Sequence, residues 1–125
     1  MNIFQKEIFF IIFSVLLNIL AQYLIKYSTS INGPITGNFL DVTKGLYNLI
    51  ITPTCFLGLI SAFMAAMFYI LALGKLPLSI AYPFTSLGFI LVVSIGIIFF
   101  NEPLTIAKIS GITLIVIGIG FMLQT

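Results

Sequence analysis

Residues 53–100 read PTCFLGLISAFMAAMFYILAL, then GKLP, then LSIAYPFTSLGFILVVSIGIIFF, and Lys75 is the single charge among them. A helix needs about 20 mostly apolar residues to cross a hydrocarbon core about 30 Å thick. Each arm of this stretch meets that length. Gly74-Lys75-Leu76-Pro77 is short enough to make the two arms antiparallel neighbours. Two membrane-crossing helices joined by a tight turn are therefore the nucleus of the fold. The fold class that follows is all-α integral membrane.

Outward from this hairpin, two more apolar segments qualify. The four expected transmembrane helices cover about 7–27, 53–73, 78–100 and 104–123, within a single transmembrane domain over 1–125. The first segment is read as a retained helix rather than a signal peptide, because it lacks a small-x-small cleavage site and carries Asn18 and Gln22. Thr52 and Pro53 suit the cap and first turn of the second span. Asn101-Glu102-Pro103 breaks the chain before the fourth. The first loop, 28–52, is long. Its front, 28–38, has the composition of coil. Its back, 39–51, mixes apolar residues with Asp41 and Lys44 and fits either a short interfacial helix or a loop.

Composition agrees with this reading. The chain has 125 residues, 61% hydrophobic and 6% charged, with a mean hydropathy of +1.27. Soluble domains carry about 25% charged residues, so most of this surface must meet lipid. A net charge of +2, all of it lysine, is too small to argue for a nucleic-acid partner. Lys6 and Lys75 fall on one side of the membrane and Lys26, Lys44 and Lys108 on the other. Two against three leaves orientation open and is compatible with dual topology. The lone Cys55 and the absence of histidine exclude an internal disulfide and a Cys/His metal site. No catalytic constellation is present, so the chain is not read as an enzyme, and no cofactor is expected.

Several polar features stand out against this apolar background. Ser14, Asn18, Gln22 and Lys26 recur every four residues on one face of the first span. Such a stripe either lines a substrate path, with Lys26 at its mouth, or makes interhelical hydrogen bonds while Lys26 snorkels. The second span has a small-residue face of Gly58, Ala62, Ala65 and Ala66, with Ser61 nearby, expected to pack against a neighbour. In the third span Pro83 is expected to kink the helix, with Tyr82 and Ser86 on one face beside it. Glu102 is expected at the start of the last helix, where the dipole favours a negative charge. No span is expected to hold a well-buried carboxylate. Gly111, Leu114, Ile115 and Gly118 form the packing or dimerisation face of the last span.

Together these patches resemble a known family. Asn101-Glu102-Pro103-Leu104-Thr105, followed by the Gly111, Leu114, Ile115 and Gly118 pattern, resembles the closing half-repeat of the drug/metabolite transporter superfamily, including EamA-type and small multidrug resistance proteins. In the latter, a glycine-leucine-glycine pattern on the fourth helix forms the dimer contact. Pro77-Leu78-Ser79-Ile80-Ala81-Tyr82 is similar to the start of that family's third helix, where the tyrosine lines the pocket. Two departures are evident. Asn18 stands where those exporters carry an essential glutamate, and Thr85 stands where they carry a tryptophan. Asparagine cannot exchange a proton, which weighs against proton/drug antiport.

A nearer likeness runs through Ala21-Gln22 and Lys26, Ile80-Ala81-Tyr82-Pro83 with Ser86-Leu87, and Glu102-Pro103. These look like the small subunits that flip aminoarabinose-phosphoundecaprenol across the bacterial inner membrane. The resemblance implies a multi-pass protein of the cytoplasmic (inner) membrane, with a four-helix bundle like that of small multidrug resistance proteins. It implies a membrane lipid or lipid-linked sugar as cargo, with Gln22, Lys26, Tyr82 and Ser86 near the head group and with Glu102 and the rest of the stripe, Asn18 included, shaping the binding site. Four helices are few for enclosing a polar path, so a functional dimer is expected, either a homodimer or a heterodimer with a similar small subunit. The alternatives are an exporter of small cations or metabolites, and a non-transporting accessory subunit of a membrane enzyme complex.

Overall fold

A computed structural model describes residues 3–122 and 124. Five helices follow in order: α1 (Ile3–Asn32), α2 (Phe39–Ile50), α3 (Pro53–Leu73), α4 (Leu78–Phe100) and α5 (Ile106–Met122). Three of these, α1, α3 and α4, are long and apolar enough to cross a membrane, and α5 is a shorter apolar helix.

Helix α1 runs past the expected end of the first span. Its final turn consists of Ser28, Thr29, Ser30, Ile31 and Asn32, a composition read as coil. The side chains explain the difference. Thr29 and Ser30 hydroxyls donate to the carbonyls of Lys26 and Tyr27 at 2.8 and 2.7 Å. The Asn32 amide donates to Ser28 O at 2.8 Å. These bonds add acceptor satisfaction where a helix end otherwise leaves carbonyls unpaired. The helix stops at Gly33, whose φ of +79° is the left-handed conformation that glycine adopts at low cost.

The back of the first loop is helical. Helix α2 begins where Asp41 folds back so that its carboxylate accepts the Asn38 backbone N–H at 3.2 Å. This turn requires Gly37: its φ is +126°, and a Cβ there would sit 2.8 Å from Asp41 Oδ2. Leu49 is buried, while Phe39, Leu40 and Tyr47 remain exposed. Thr52 occupies the cap position of α3, but its hydroxyl makes no capping bond. It donates instead to Leu49 O at 2.6 Å and pairs with the buried Ser28 hydroxyl at 2.8 Å. Thr52 therefore ties the end of α1 to the start of α3.

The principal packing is between α1 and α3, with α4 added against α1. At the α1–α3 seam Ala21, Gly58, Ser61 and Ala65 are buried. A Cβ on Gly58 would lie 2.9 Å from Ile25 Cγ1 and 3.2 Å from the Ala21 carbonyl, so the backbones meet at van der Waals distance. Two hydroxyls lock the register, Ser14 Oγ to Ala65 O and Ser61 Oγ to Leu17 O, each at 2.8 Å. Lipid supplies no hydrophobic drive between helices, so close contact and such bonds carry the association.

The short turn after α3 reverses the chain, yet α4 packs mainly on α1 rather than on α3. Ile11, Ala72, Leu76 and Ala81 form the buried cluster that joins the three helices near this turn. At the opposite end Tyr23 of α1 meets Phe99 edge-on and Phe100 at a tilt, with ring centroids 5.4 and 5.8 Å apart. Helix α4 continues unbroken through the buried Pro83.

The last turn of the chain differs from expectation. Helix α4 ends at Asn101 in the left-handed region, φ +51°, and α5 begins at Ile106. Thr105 caps α5, its Oγ accepting the Lys108 backbone N–H at 3.3 Å. Glu102 is thus three residues before the cap and does not serve the helix start. Helix α5 touches only α4 among the described residues.

Replacing Gly58 by valine should force α1 and α3 apart and cost about 1–3 kcal/mol, the usual cost of overpacking. Reversible unfolding in mixed micelles should show this loss. Ser61→Ala should lose less, about 0.6 kcal/mol, the average for one interhelical hydrogen bond in a membrane bundle.

Candidate functional site

A cavity of about 580 Å³ is lined by α1, α3 and α4. From α1, Ser14, Asn18 and Gln22 face it; from α3, Ala62, Ala65, Ala66 and Tyr69; from α4, Tyr82, Thr85, Ser86 and Phe89. The four-residue spacing on α1 explains why three stripe members share one wall. The alanines of α3 explain the volume. Part of the small-residue face packs on α1, but Ala62 and Ala66 look onto the open space.

The cavity lining contains no charged residue. Its polarity comes from two amides and several hydroxyls. Ser14 is committed to Ala65 O. Thr85 and Ser86 donate to the Tyr82 carbonyl at 2.7 and 3.0 Å, which leaves their oxygens free to accept. Among the described residues, no interhelical bond uses the polar ends of Asn18 and Gln22, which line the cavity. Each offers two donors and an acceptor to the cavity. Three aromatic rings, Tyr69, Tyr82 and Phe89, supply flat apolar surface beside these groups. Such a lining can hydrogen-bond and stack a neutral polyhydroxylated or amide-bearing group. It offers nothing to neutralise a full charge.

The two charged residues expected in the site are not in this wall. Lys26 and Glu102 pair with each other at 3.7 Å. Lys108 joins them from α5, at 3.3 Å from Glu102 Oε2. Lys26 lies one turn beyond Gln22 on the stripe, so the charged group stands at one end of the cavity face. Sequence reasoning missed Lys108 in this cluster. It also missed Thr85 and the cavity-facing alanines. Tyr69, readable from the sequence as a hydroxyl at the end of the small-residue face, lines the cavity.

A second correction concerns Glu7. No span was expected to bury a carboxylate, yet Glu7 is only 2% exposed in α1. One oxygen pairs with Lys75 Nζ at 3.2 Å, and Oε2 has no hydrogen-bond partner among the described residues. The tight turn after α3 carries Lys75 back over the start of α1, a contact that sequence spacing does not reveal.

A model of the Small Multidrug Resistance protein family matches residues 34–115. The chain belongs to the small multidrug resistance family. Relatives named as probable 4-amino-4-deoxy-L-arabinose-phosphoundecaprenol flippase subunits lie nearby. The ArnF subunit of Enterobacter sp. (strain 638) is 30% identical over 119 residues, covering 89% of each chain. ArnF of Shewanella sediminis is 46% identical over 57 residues, 44% of this chain and 39% of that protein. ArnE of Pseudomonas fluorescens is 30% identical over 73 residues, covering 58% of this chain and 64% of that protein. No solved structure matches the chain significantly. With its apolar helices, this family member is a multi-pass protein of the bacterial inner membrane.

In a Cys55→Ala background, Asn18→Cys and Ser86→Cys should react with a small charged thiol reagent added to the membrane-embedded protein. Leu16→Cys, on the exposed apolar side of α1, should not. Mass spectrometry of the labelled protein reads the difference. Equal labelling at all three positions would mean that no polar cavity separates the two sides of α1.

Proposed function

We propose that this chain is one subunit of a flippase for a polyprenyl-phosphate-linked sugar, of the aminoarabinose-phosphoundecaprenol kind. The observation that carries the reading is the uncharged, hydrogen-bonding, aromatic-walled cavity with a lysine cluster one helical turn beyond it. A lipid-linked sugar has the matching sequence of parts: a neutral or weakly basic sugar, an adjoining phosphate and a long apolar tail. Asn18, Gln22, Tyr82 and Ser86 meet the sugar, and Tyr69 and Tyr82 offer ring faces to it. Lys26 meets the phosphate, an ammonium being a natural partner for that anion. The tail stays in acyl chains beside exposed apolar surface. The names of the relatives, probable 4-amino-4-deoxy-L-arabinose-phosphoundecaprenol flippase subunits, support this cargo.

On this reading four helices span the membrane. Helix α5 has 17 residues and rises about 25 Å at 1.5 Å per residue, slightly less than an average hydrocarbon core. Residues 103–105 and local thinning make up the difference. The functional unit is a dimer, either of two copies or with a similar small subunit. Helix α5 provides the contact. A Cβ on Gly111 or Gly118 would meet nothing within 4 Å, Leu114 is 68% exposed, and Ile115 lies one position along. This strip is a groove that the chain itself does not fill. Pro83 acts in α4 as the flexible point beside the site, because it withholds one backbone hydrogen bond.

Export of an organic cation is the second reading. The three aromatic rings favour it, since ring faces attract cations. A cavity without a carboxylate favours the sugar.

Transport of the labelled lipid-linked sugar in vesicles holding the chain and its partner subunit tests the proposal. Gln22→Ala and Tyr82→Ala should each lower the rate by about tenfold, the effect of losing one or two hydrogen bonds to a buried polar group. If both variants flip the lipid at the wild-type rate, the cavity is not the path. Gly118→Leu should instead abolish co-purification of the partner or second copy while leaving the single chain folded.

A further inference from the structure

We infer that the Glu102 carboxylate is a resident counter-ion that an incoming lipid phosphate displaces, with Lys26 and Lys108 as the paired ligands of that phosphate. This rests on the proposed lipid-phosphate cargo and assigns the binding set for its anionic part, including Lys108, which lies outside the stripe of α1.

Three elements bring the charges together. Lys26 comes from α1, Glu102 from the turn after α4 and Lys108 from α5. Two ammonium groups share one carboxylate, Lys108 at 3.3 Å and Lys26 at 3.7 Å. The cluster keeps one uncompensated positive charge. Its side chains are 34–56% exposed, so an anion can reach them without unfolding the bundle. Lys26 is the looser partner: it also hangs 6.0 Å from the centre of the Phe100 ring.

Glu102 is built to leave. It is not the cap of α5, a place taken by Thr105. Its carboxylate lies back against Gly96, where a Cβ would come within 3.0 Å of Oε2, and it caps no helix. Among the described residues, only the two lysines hold its charge. A phosphate offers more acceptor oxygens to the same ammonium groups than a carboxylate does. The two anions repel at that distance, so both cannot sit between the lysines. Exchange of one anion for the other leaves an anion between the two lysines in both the empty and the loaded state. It also avoids leaving two unpaired lysines beside the apolar cavity face when cargo departs, which would be costly near lipid.

The test uses the full chain in nanodiscs. Farnesyl phosphate is the probe, farnesol the uncharged control and inorganic phosphate the free-anion control. Glu102→Gln removes the competitor and should tighten farnesyl phosphate binding by about fivefold to tenfold. Lys26→Gln and Lys108→Gln should each weaken it by a similar factor, and farnesol binding should move with none of them. If Glu102→Gln leaves binding unchanged or weakens it while the lysine variants weaken it, counter-ion exchange is wrong and the lipid-phosphate reading survives. If the lysine variants also bind normally, the phosphate reading falls with it. Competition by inorganic phosphate at equal concentration would overturn the lipid as source. The wild-type chain gives a readout independent of mutation. Farnesyl phosphate should raise modification of Glu102 by a carboxyl-reactive carbodiimide, as the freed group turns outward. Protection of Glu102 would overturn the exchange.

Discussion

The close seam between α1 and α3 is the contact on which the remaining architecture depends. Water would drive apolar helices together, but lipid does not, so each helix pair needs a specific reason to associate. Here the reason is the combination of backbone proximity at Gly58 with two hydroxyls that cross the seam to opposing carbonyls. Those bonds set how α3 is rotated about its own axis. Once that rotation is set, Ala62 and Ala66 look into open space and Tyr69 reaches toward α4. Small residues therefore do two jobs on one helix: some remove volume where contact is needed, and others leave volume where cargo is proposed to enter.

Charge is handled separately from this packing. None lines the cavity. Every described ion pair lies at an end of the bundle, Glu7 with Lys75 at one end and Glu102 with Lys26 and Lys108 at the other. In each case a residue from a turn closes over α1. The separation has a physical basis. An ion pair inside the cavity would stiffen it and attract a charged solute, whereas a pair at the rim is cheaper to hydrate. The absence of a glutamate at Asn18 fits this division, since a carboxylate there would have put charge in the middle of the path.

Much of the architecture was legible because apolar runs and their breakers are local signals. The hairpin of α3 and α4 could be read from its two runs and the GKLP turn. The four-residue spacing on α1 brought Asn18 and Gln22 to one wall. What escaped was decided by contacts between distant residues or by side chains acting on their own backbone. The extra turn of α1 exists because Thr29, Ser30 and Asn32 bond back to it, although their composition reads as coil. The place of Thr105 as cap moved the start of α5 and released Glu102. Glu7 is buried because the turn carries Lys75 over it, although no span was expected to bury a carboxylate. Lys108 joined Lys26 only through the geometry of a turn containing a left-handed asparagine. These cases share one cause: polar side chains decide the outcome, either by bonding back to their own backbone or by pairing across the fold.

The positions of the ion pairs along α1 have a further consequence. Glu7 and Lys26 are nineteen residues apart, about 29 Å at 1.5 Å of rise per residue, close to the thickness of an average hydrocarbon core. The helix thus carries its own depth gauge. A leaflet thinner by a few ångströms would leave the stretch between the marks partly in water, and a thicker one would drag one pair into oil. The molecule can meet either condition by leaning, and a lean of α1 carries α3 with it through the seam. Membrane thickness is in this way coupled to the tilt of the cavity walls, so the lipid composition of the host bilayer becomes a mechanical input to the site.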